Sequence, residues 1–131
     1  MRTPEQILRE ARTIALVGAS PTPGRPSNNV MTYLLRAGYA VIPVNPACDE
    51  VLGVPCAPSL AAIHEQLDLV DVFRRVEHAP EVAREAAAVG AGALWLQLDL
   101  VSPEARRVAL ESGMDYVEDE CTAIVHGRLG H

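Results

Sequence analysis

Thr13-Ile14-Ala15-Leu16-Val17-Gly18-Ala19-Ser20 carries an apolar, β-branched run straight into a turn of small residues. Four more short apolar runs follow, at 40–44, 69–73, 93–97 and 115–117. Runs of this length that lack a regular polar face read as strands buried on both sides. Between them lie segments with helical spacing. One at 27–37 opens on Ser27-Asn28-Asn29 and closes at Gly38; another at 80–89 has Pro80 at its start and Gly90 just past its end. Ser102-Pro103-Glu104 opens a helix that runs to Ser112 and stops at Gly113. Ser59 opens one more at 59–66, and a short helix at 4–11 precedes the first strand. Ser and Asn at a helix start satisfy free N–H groups, and Gly past the end takes the conformation that terminates the helix. Strands that alternate with helices connect by right-handed crossovers. The chain is therefore expected to form an α/β domain, with a parallel five-stranded sheet between two helical layers.

The length of 131 residues suits one domain, and 49% hydrophobic residues suffice for its core. Aromatic residues make up only 4%, which favours helix-on-sheet packing over an aromatic-rich sandwich. Eleven basic against 17 acidic residues leave a net charge of −6, so extended nucleic-acid binding through a basic face is excluded as an expectation. No stretch approaches the roughly 18 apolar residues of a membrane span, and the N-terminus lacks the order of a signal peptide. A cytoplasmic protein with no membrane partner is expected. Cys48, Cys56 and Cys121 are odd in number and lack C-x-x-C spacing, so they read as reduced, mostly structural thiols. The four histidines, His64, His78, His126 and His131, are scattered and give no metal spacing. They are placed, respectively, at a helix end, in a loop, and (the last two) in a polar tail.

In sheets of this kind ligands bind beyond the carboxyl ends of the strands. The loop after the first strand, residues 18–29, has the chemistry for an anion. Gly18 lets a ligand approach the main chain, Ala19 keeps the surface low, and Ser20 adds a hydroxyl. Arg25 supplies a planar cation just before the helix opened by Ser27 and Asn28, whose first N–H groups and dipole favour negative charge. The loop therefore reads as a holder for the phosphates of a nucleotide-bearing cofactor. The strict G-x-G-x-x-G fingerprint is missing, since only Gly18 and Gly24 are present and three prolines stiffen the loop. A plain strand-to-helix connection is the alternative reading.

A wider set of residues narrows the choice. Val17-Gly18-Ala19-Ser20, Arg25-Pro26-Ser27, Tyr33-Leu34, Gly38-Tyr39, Pro43-Val44-Asn45-Pro46, Gly53, Ser59-Leu60, Asp71-Val72-Phe73-Arg74, Trp95-Leu96-Gln97 and Cys121 occur in this order. Together they resemble the small stand-alone CoA-binding proteins, whose fold matches the N-terminal CoA-binding domain of the succinyl-CoA synthetase α-subunit. The resemblance runs from about residue 5 to residue 129. It implies a Rossmann-like fold with coenzyme A, or an acyl-CoA, across the carboxyl edge of the sheet. Gly18, Ala19, Ser20 and Arg25 would then meet the phosphates, with Ser27 and Asn28 at the helix start. Val44, Asn45 and Pro46 would flank the adenosine part. Phe73 and Arg74 would border the cofactor, Arg75 could reach a phosphate, and Gln97 would face the ligand from the end of its strand. One departure from the family pattern is Leu98-Asp99-Leu100 after Gln97, which sets a carboxylate near an anionic cofactor.

Several of these residues have plainer readings. Asn45 between Pro43 and Pro46 also suits ordinary turn chemistry. Arg74 or Arg75 could be a solvated cation facing Glu77 or Asp71. Trp95, between Leu94 and Leu96, reads as buried, and Cys121 after Glu118-Asp119-Glu120 reads as a small residue near the last strand. Nothing in the sequence has the order of a Ser-His-Asp triad or a carboxylate pair at a cleft. The expectation is a non-catalytic binder of CoA. The alternatives are a nicotinamide-nucleotide regulator and the CoA-binding subunit of a ligase-type enzyme whose partner is unknown. An acidic residue ending the second strand would favour NAD, but Asn45 stands there.

Overall fold

A computed structural model describes residues 1–130. Strands β1 (Thr13–Val17), β2 (Ala40–Val44), β5 (Leu69–Val72), β6 (Ala93–Leu96) and β7 (Asp115–Val117) form one sheet in the order β2-β1-β5-β6-β7. Every neighbouring pair is parallel. Helices α1 (Pro4–Glu10), α2 (Pro26–Arg36) and α5 (Thr122–Gly127) supply one layer. Helices α3 (Ala79–Ala88) and α4 (Pro103–Glu111) supply the other. The expected three-layer arrangement is present. No helix among the described residues is long and apolar enough to cross a membrane.

The strands are apolar on both sides because alternate residues serve different layers. Ile14, Leu16, Leu69 and Trp95 face Ile7, Leu8, Met31 and Leu34. Ala15, Val70, Val72, Leu94 and Leu96 face the opposite layer, which is built largely from Ala83, Ala86, Ala105 and Ala109. Small residues there let α3 and α4 approach the sheet and one another closely. Trp95 is fully buried, as expected, and its indole N–H donates to the Glu120 carbonyl at 2.8 Å. The hydroxyl of buried Ser102 accepts from the Ala105 N–H at 3.1 Å and so caps α4. Ser102→Ala is expected to lower stability by about 1 kcal/mol; a urea midpoint equal to that of the parent would remove the cap from the account.

Three segments depart from the sequence reading. The helix expected at 59–66 is a single 3-10 turn, Leu60–Ala62, and Ile63 is already extended. Only Leu60 of that turn is buried, too little apolar surface to fix a longer helix in place. His64 therefore follows a turn, whereas His78 closes a second 3-10 turn, Val76–His78, that leads into α3. Within the Pro-rich stretch 43–58 the chain forms a small antiparallel hairpin, β3 (Glu50–Val51) and β4 (Val54–Pro55). Its turn, Leu52-Gly53, has φ of 52° and 78°. Finally, the stretch read as a polar tail contains α5, and His126 sits in it with its ring edge-on to both Tyr33 and Tyr39. The expected placement of His131 lies outside the described residues.

Candidate functional site

The strand order reverses direction between β1 and β5, since the chain goes from β1 outward to β2 and then returns to β5 on the other side. Connections that leave in opposite directions open a crevice at the carboxyl ends of the strands. Gly18 lies at that point. Its N–H donates to the Val44 carbonyl at 3.1 Å, and the Phe73 N–H donates to the Val17 carbonyl at 2.8 Å, so three strand ends meet. Gly18 has φ +88°, and a Cβ there would stand 3.1 Å from the Phe73 carbonyl carbon and 3.0 Å from Arg74 Cγ. Only glycine permits this turn and this contact together.

The loop that follows is held in shape by side chains around it. The Ser20 N–H donates to Ser27 Oγ at 3.1 Å, and the Thr22 N–H donates to Ser20 Oγ at 3.1 Å. Asn28 Nδ2 donates to the Ser20 carbonyl at 3.0 Å. From β2, Asn45 Nδ2 donates to the Ala19 carbonyl at 2.8 Å while Asn45 Oδ1 accepts from the Ala47 N–H at 2.7 Å. Asn45 thus does turn chemistry and at the same time ties the β2 end to the first loop. Arg25 is the N-cap of α2 and offers no side-chain hydrogen bond to the first turn.

A cleft of about 500 Å³ occupies the crevice. Of the residues singled out in the sequence, Gly18, Ala19, Ser20, Arg25, Val44, Asn45, Pro46 and Arg74 line it together. The others lie elsewhere. Ser27 and Asn28 are buried behind the loop as its supports. Phe73 packs into the layer formed by α1, α2 and α5. Arg75 is exposed, 4.0 Å from Glu77, and is the solvated member of the arginine pair. Gln97 is buried, and its Nε2 donates to Asp71 Oδ1 at 2.5 Å and to Thr122 Oγ1 at 3.0 Å. The Thr122 hydroxyl donates to Asp71 Oδ2 at 3.0 Å, which closes a buried triangle.

Val17, Pro58, Ser59, Leu60 and Glu85 complete the cleft lining and were not singled out as site residues. Pro58 to Leu60 reach it because the β3–β4 hairpin returns the chain beside β2, where the Asn45 N–H meets the Ala57 carbonyl at 3.0 Å. Glu85 comes from α3, and nothing local in the sequence distinguishes it from other helix-surface acids. The cleft therefore carries two guanidinium groups, Arg25 and Arg74, against one carboxylate. Asp99, the departure noted above, does not line it; it adopts φ 70° and its N–H donates to Asp119 Oδ1 at 2.7 Å.

The buried triangle perturbs Asp71. Complete burial pushes its carboxyl from 3.8 up to about 7, and the hydrogen bonds from Gln97 and Thr122 pull the other way. A larger hollow of about 1010 Å³ lies at the opposite edge, where Thr13 and Ala40 begin their strands. It is wide open and lies at the amino ends of these strands, away from the carboxyl-end crevice. Among the described residues no group of three or more His, Cys, Asp or Glu is placed to hold a metal ion.

A five-stranded parallel sheet with a glycine-turn cleft at its switch point defines a Rossmann-like α/β domain. Residues 12–127 match the family model described as a CoA binding domain, and the chain belongs to that family. The uncharacterized protein YneT of Bacillus subtilis is 41% identical over 122 residues, which is 93% of this chain and 90% of that protein. A solved structure of a hypothetical protein from Pyrococcus horikoshii superposes with a TM-score of 0.93 at 41% identity, covering 98% of this chain and 92% of the other. A Thermus thermophilus protein superposes with a TM-score of 0.91 at 34% identity, covering 98% of this chain and 99% of the other. Acetate–CoA ligase [ADP-forming] II of Archaeoglobus fulgidus is 33% identical over 81 residues, 60% of this chain but only 12% of that protein.

Proposed function

We propose that this chain binds coenzyme A or an acyl-CoA in the cleft at the β1–β5 switch point, as a binder without a catalytic step of its own. The observation that carries this reading is the meeting of Gly18, Ala19, Ser20 and Arg25 with Arg74 around one crevice, in a member of the CoA-binding domain family. Backbone and guanidinium groups there suit phosphate oxygens. The β2 end at Val44-Asn45-Pro46 forms the adjoining wall, suited to the adenosine part. NAD is disfavoured because the β2 end offers an amide already bonded to the Ala19 carbonyl where a ribose-binding carboxylate is needed.

Calorimetric titration with CoA, acetyl-CoA, NAD and NADP tests the reading. Heat from CoA or acetyl-CoA supports it; heat from NAD alone overturns it. Arg25 is exposed at the cleft rim, so Arg25→Ala is expected to weaken CoA binding roughly tenfold, the worth of one charge-assisted contact. Its thermal midpoint should stay at the parent value. An unchanged dissociation constant would take Arg25 out of the site.

The match to a short part of an acetate–CoA ligase favours a second reading, a CoA-binding subunit that works with a separate partner. Repeated co-purification with a nucleotide-binding ligase subunit would establish it.

A further inference from the structure

The odd cysteine count conceals a pair. Cys48 and Cys56 bring their Sγ atoms to 3.4 Å, while Cys121 stands apart at the N-cap of α5. All three are free thiols and each is partly accessible. We infer that Cys48 and Cys56 are a modification site, at which a low-molecular-weight disulfide converts the two thiols into an intrachain disulfide across the neck of the β3–β4 hairpin.

Three features of the neck support this. First, the separation is short: a disulfide needs sulfur atoms about 2.0 Å apart, a closing movement that side-chain rotation supplies. Second, the backbone on both sides is already pinned. The Cys56 N–H donates to the Asp49 carbonyl at 2.8 Å, and the Ala57 N–H donates to the Pro43 carbonyl at 2.9 Å. The thiols are therefore held together, without a long loop to close. Third, Pro46 and Pro58, each two residues outside a thiol, both line the cleft. A bond across the neck would fix the spacing of that wall.

The exchange balances in two steps. The Cys48 sulfur, as thiolate, attacks one sulfur of the small disulfide; the S–S bond breaks, Cys48 becomes a mixed disulfide, and one small thiolate leaves. Cys56, after losing its proton to solvent, attacks the Cys48 sulfur and expels the second small thiolate. The protein loses two hydrogens and is oxidised, and the small disulfide is reduced to two thiols. Burial, and then the contact with Cys48, push the Cys56 thiol up to about 12. Cys56 is thus a slow attacker near neutral pH and a poor leaving group, so the bond forms faster as pH rises and resists reduction once made.

The test uses the full reduced chain and glutathione disulfide, with intact mass and peptide mapping as readouts. Expected is a chain lighter by two hydrogens with Cys48 joined to Cys56, formed about tenfold faster for each unit of pH below the thiol range. Cys121→Ser should behave like the parent. Cys56→Ser should stop at a glutathione adduct on Cys48, and this arm needs only a folded chain by circular dichroism. A parent chain that accumulates separate adducts on Cys48 and Cys56 overturns the inference. So does a bridge that includes Cys121.

Discussion

Gly18→Val is expected to abolish CoA binding and to lower stability by about 3 kcal/mol, the sum of a strained backbone and a tight contact. The residue sits at φ +88°, where a β-branched side chain is strained whatever space surrounds it. There is also little space, since the new Cβ would press on the Phe73 backbone and on the aliphatic stem of Arg74. Displacing Arg74 removes one of the two cations of the cleft, and the added methyl groups fill the point where the ligand would approach the main chain. Gly24→Ala separates the two causes. Gly24 has φ +90°, but a Cβ added there would meet nothing within 4 Å, so it carries the backbone cost alone, about 1 kcal/mol. Urea unfolding of both variants gives the comparison, and titration of folded Gly18→Val gives the binding. Affinity equal to the parent would place the cofactor away from this crevice.

The second large effect concerns Asp71. Asp71→Leu is expected to cost about 3 kcal/mol, because the Thr122 hydroxyl would lose its acceptor, and Gln97 Nε2 one of its two, in a buried site. The carboxyl also makes stability depend on pH in an unusual direction. Its folded value is raised to about 7 from an ordinary 3.8, so the folded chain holds this proton more tightly than the unfolded chain does. The resulting stabilisation is complete below the unfolded value and disappears as pH rises through the folded one. On the order of 4 kcal/mol is the ceiling for this contribution. Asp71→Asn should therefore flatten the fall in urea midpoint between about pH 4 and about pH 8 relative to the parent. If parent and variant fall in parallel, Asp71 does not titrate in this range on unfolding.

Much of this architecture was legible in the residues. The five apolar runs became the five strands of the main sheet, and Gly18 became the turn they implied, because burial on both faces leaves a composition that local reading can detect. Local reading says less where structure depends on distant partners. Gln97 ends a strand and carries an amide, which suggested a ligand contact; its actual partners, Asp71 and Thr122, are 26 and 25 residues away in sequence. Asp71 itself was visible only as part of a motif, since nothing beside it signals complete burial. The hairpin between Cys48 and Cys56 was hidden in a stretch dense in proline, and without it the two thiols have no reason to meet. Helix α5 is six residues long with only Thr122 and Val125 buried, too brief for a periodic pattern to emerge.

The fastening of Arg2 to the last strand bears on the order of events as the chain is made. Arg2 Nε meets Asp115 Oδ2 at 2.6 Å, and the Arg2 N–H reaches Asp115 Oδ1 at 3.2 Å, across 113 positions of sequence. Further on, Arg9 Nη2 donates to the Leu129 carbonyl at 3.1 Å. Helix α1 thus leaves the ribosome well ahead of the strand and helix that fasten it. At roughly 5–20 residues per second, its apolar side, Ile7 and Leu8, must wait several seconds for β7 and α5 to arrive.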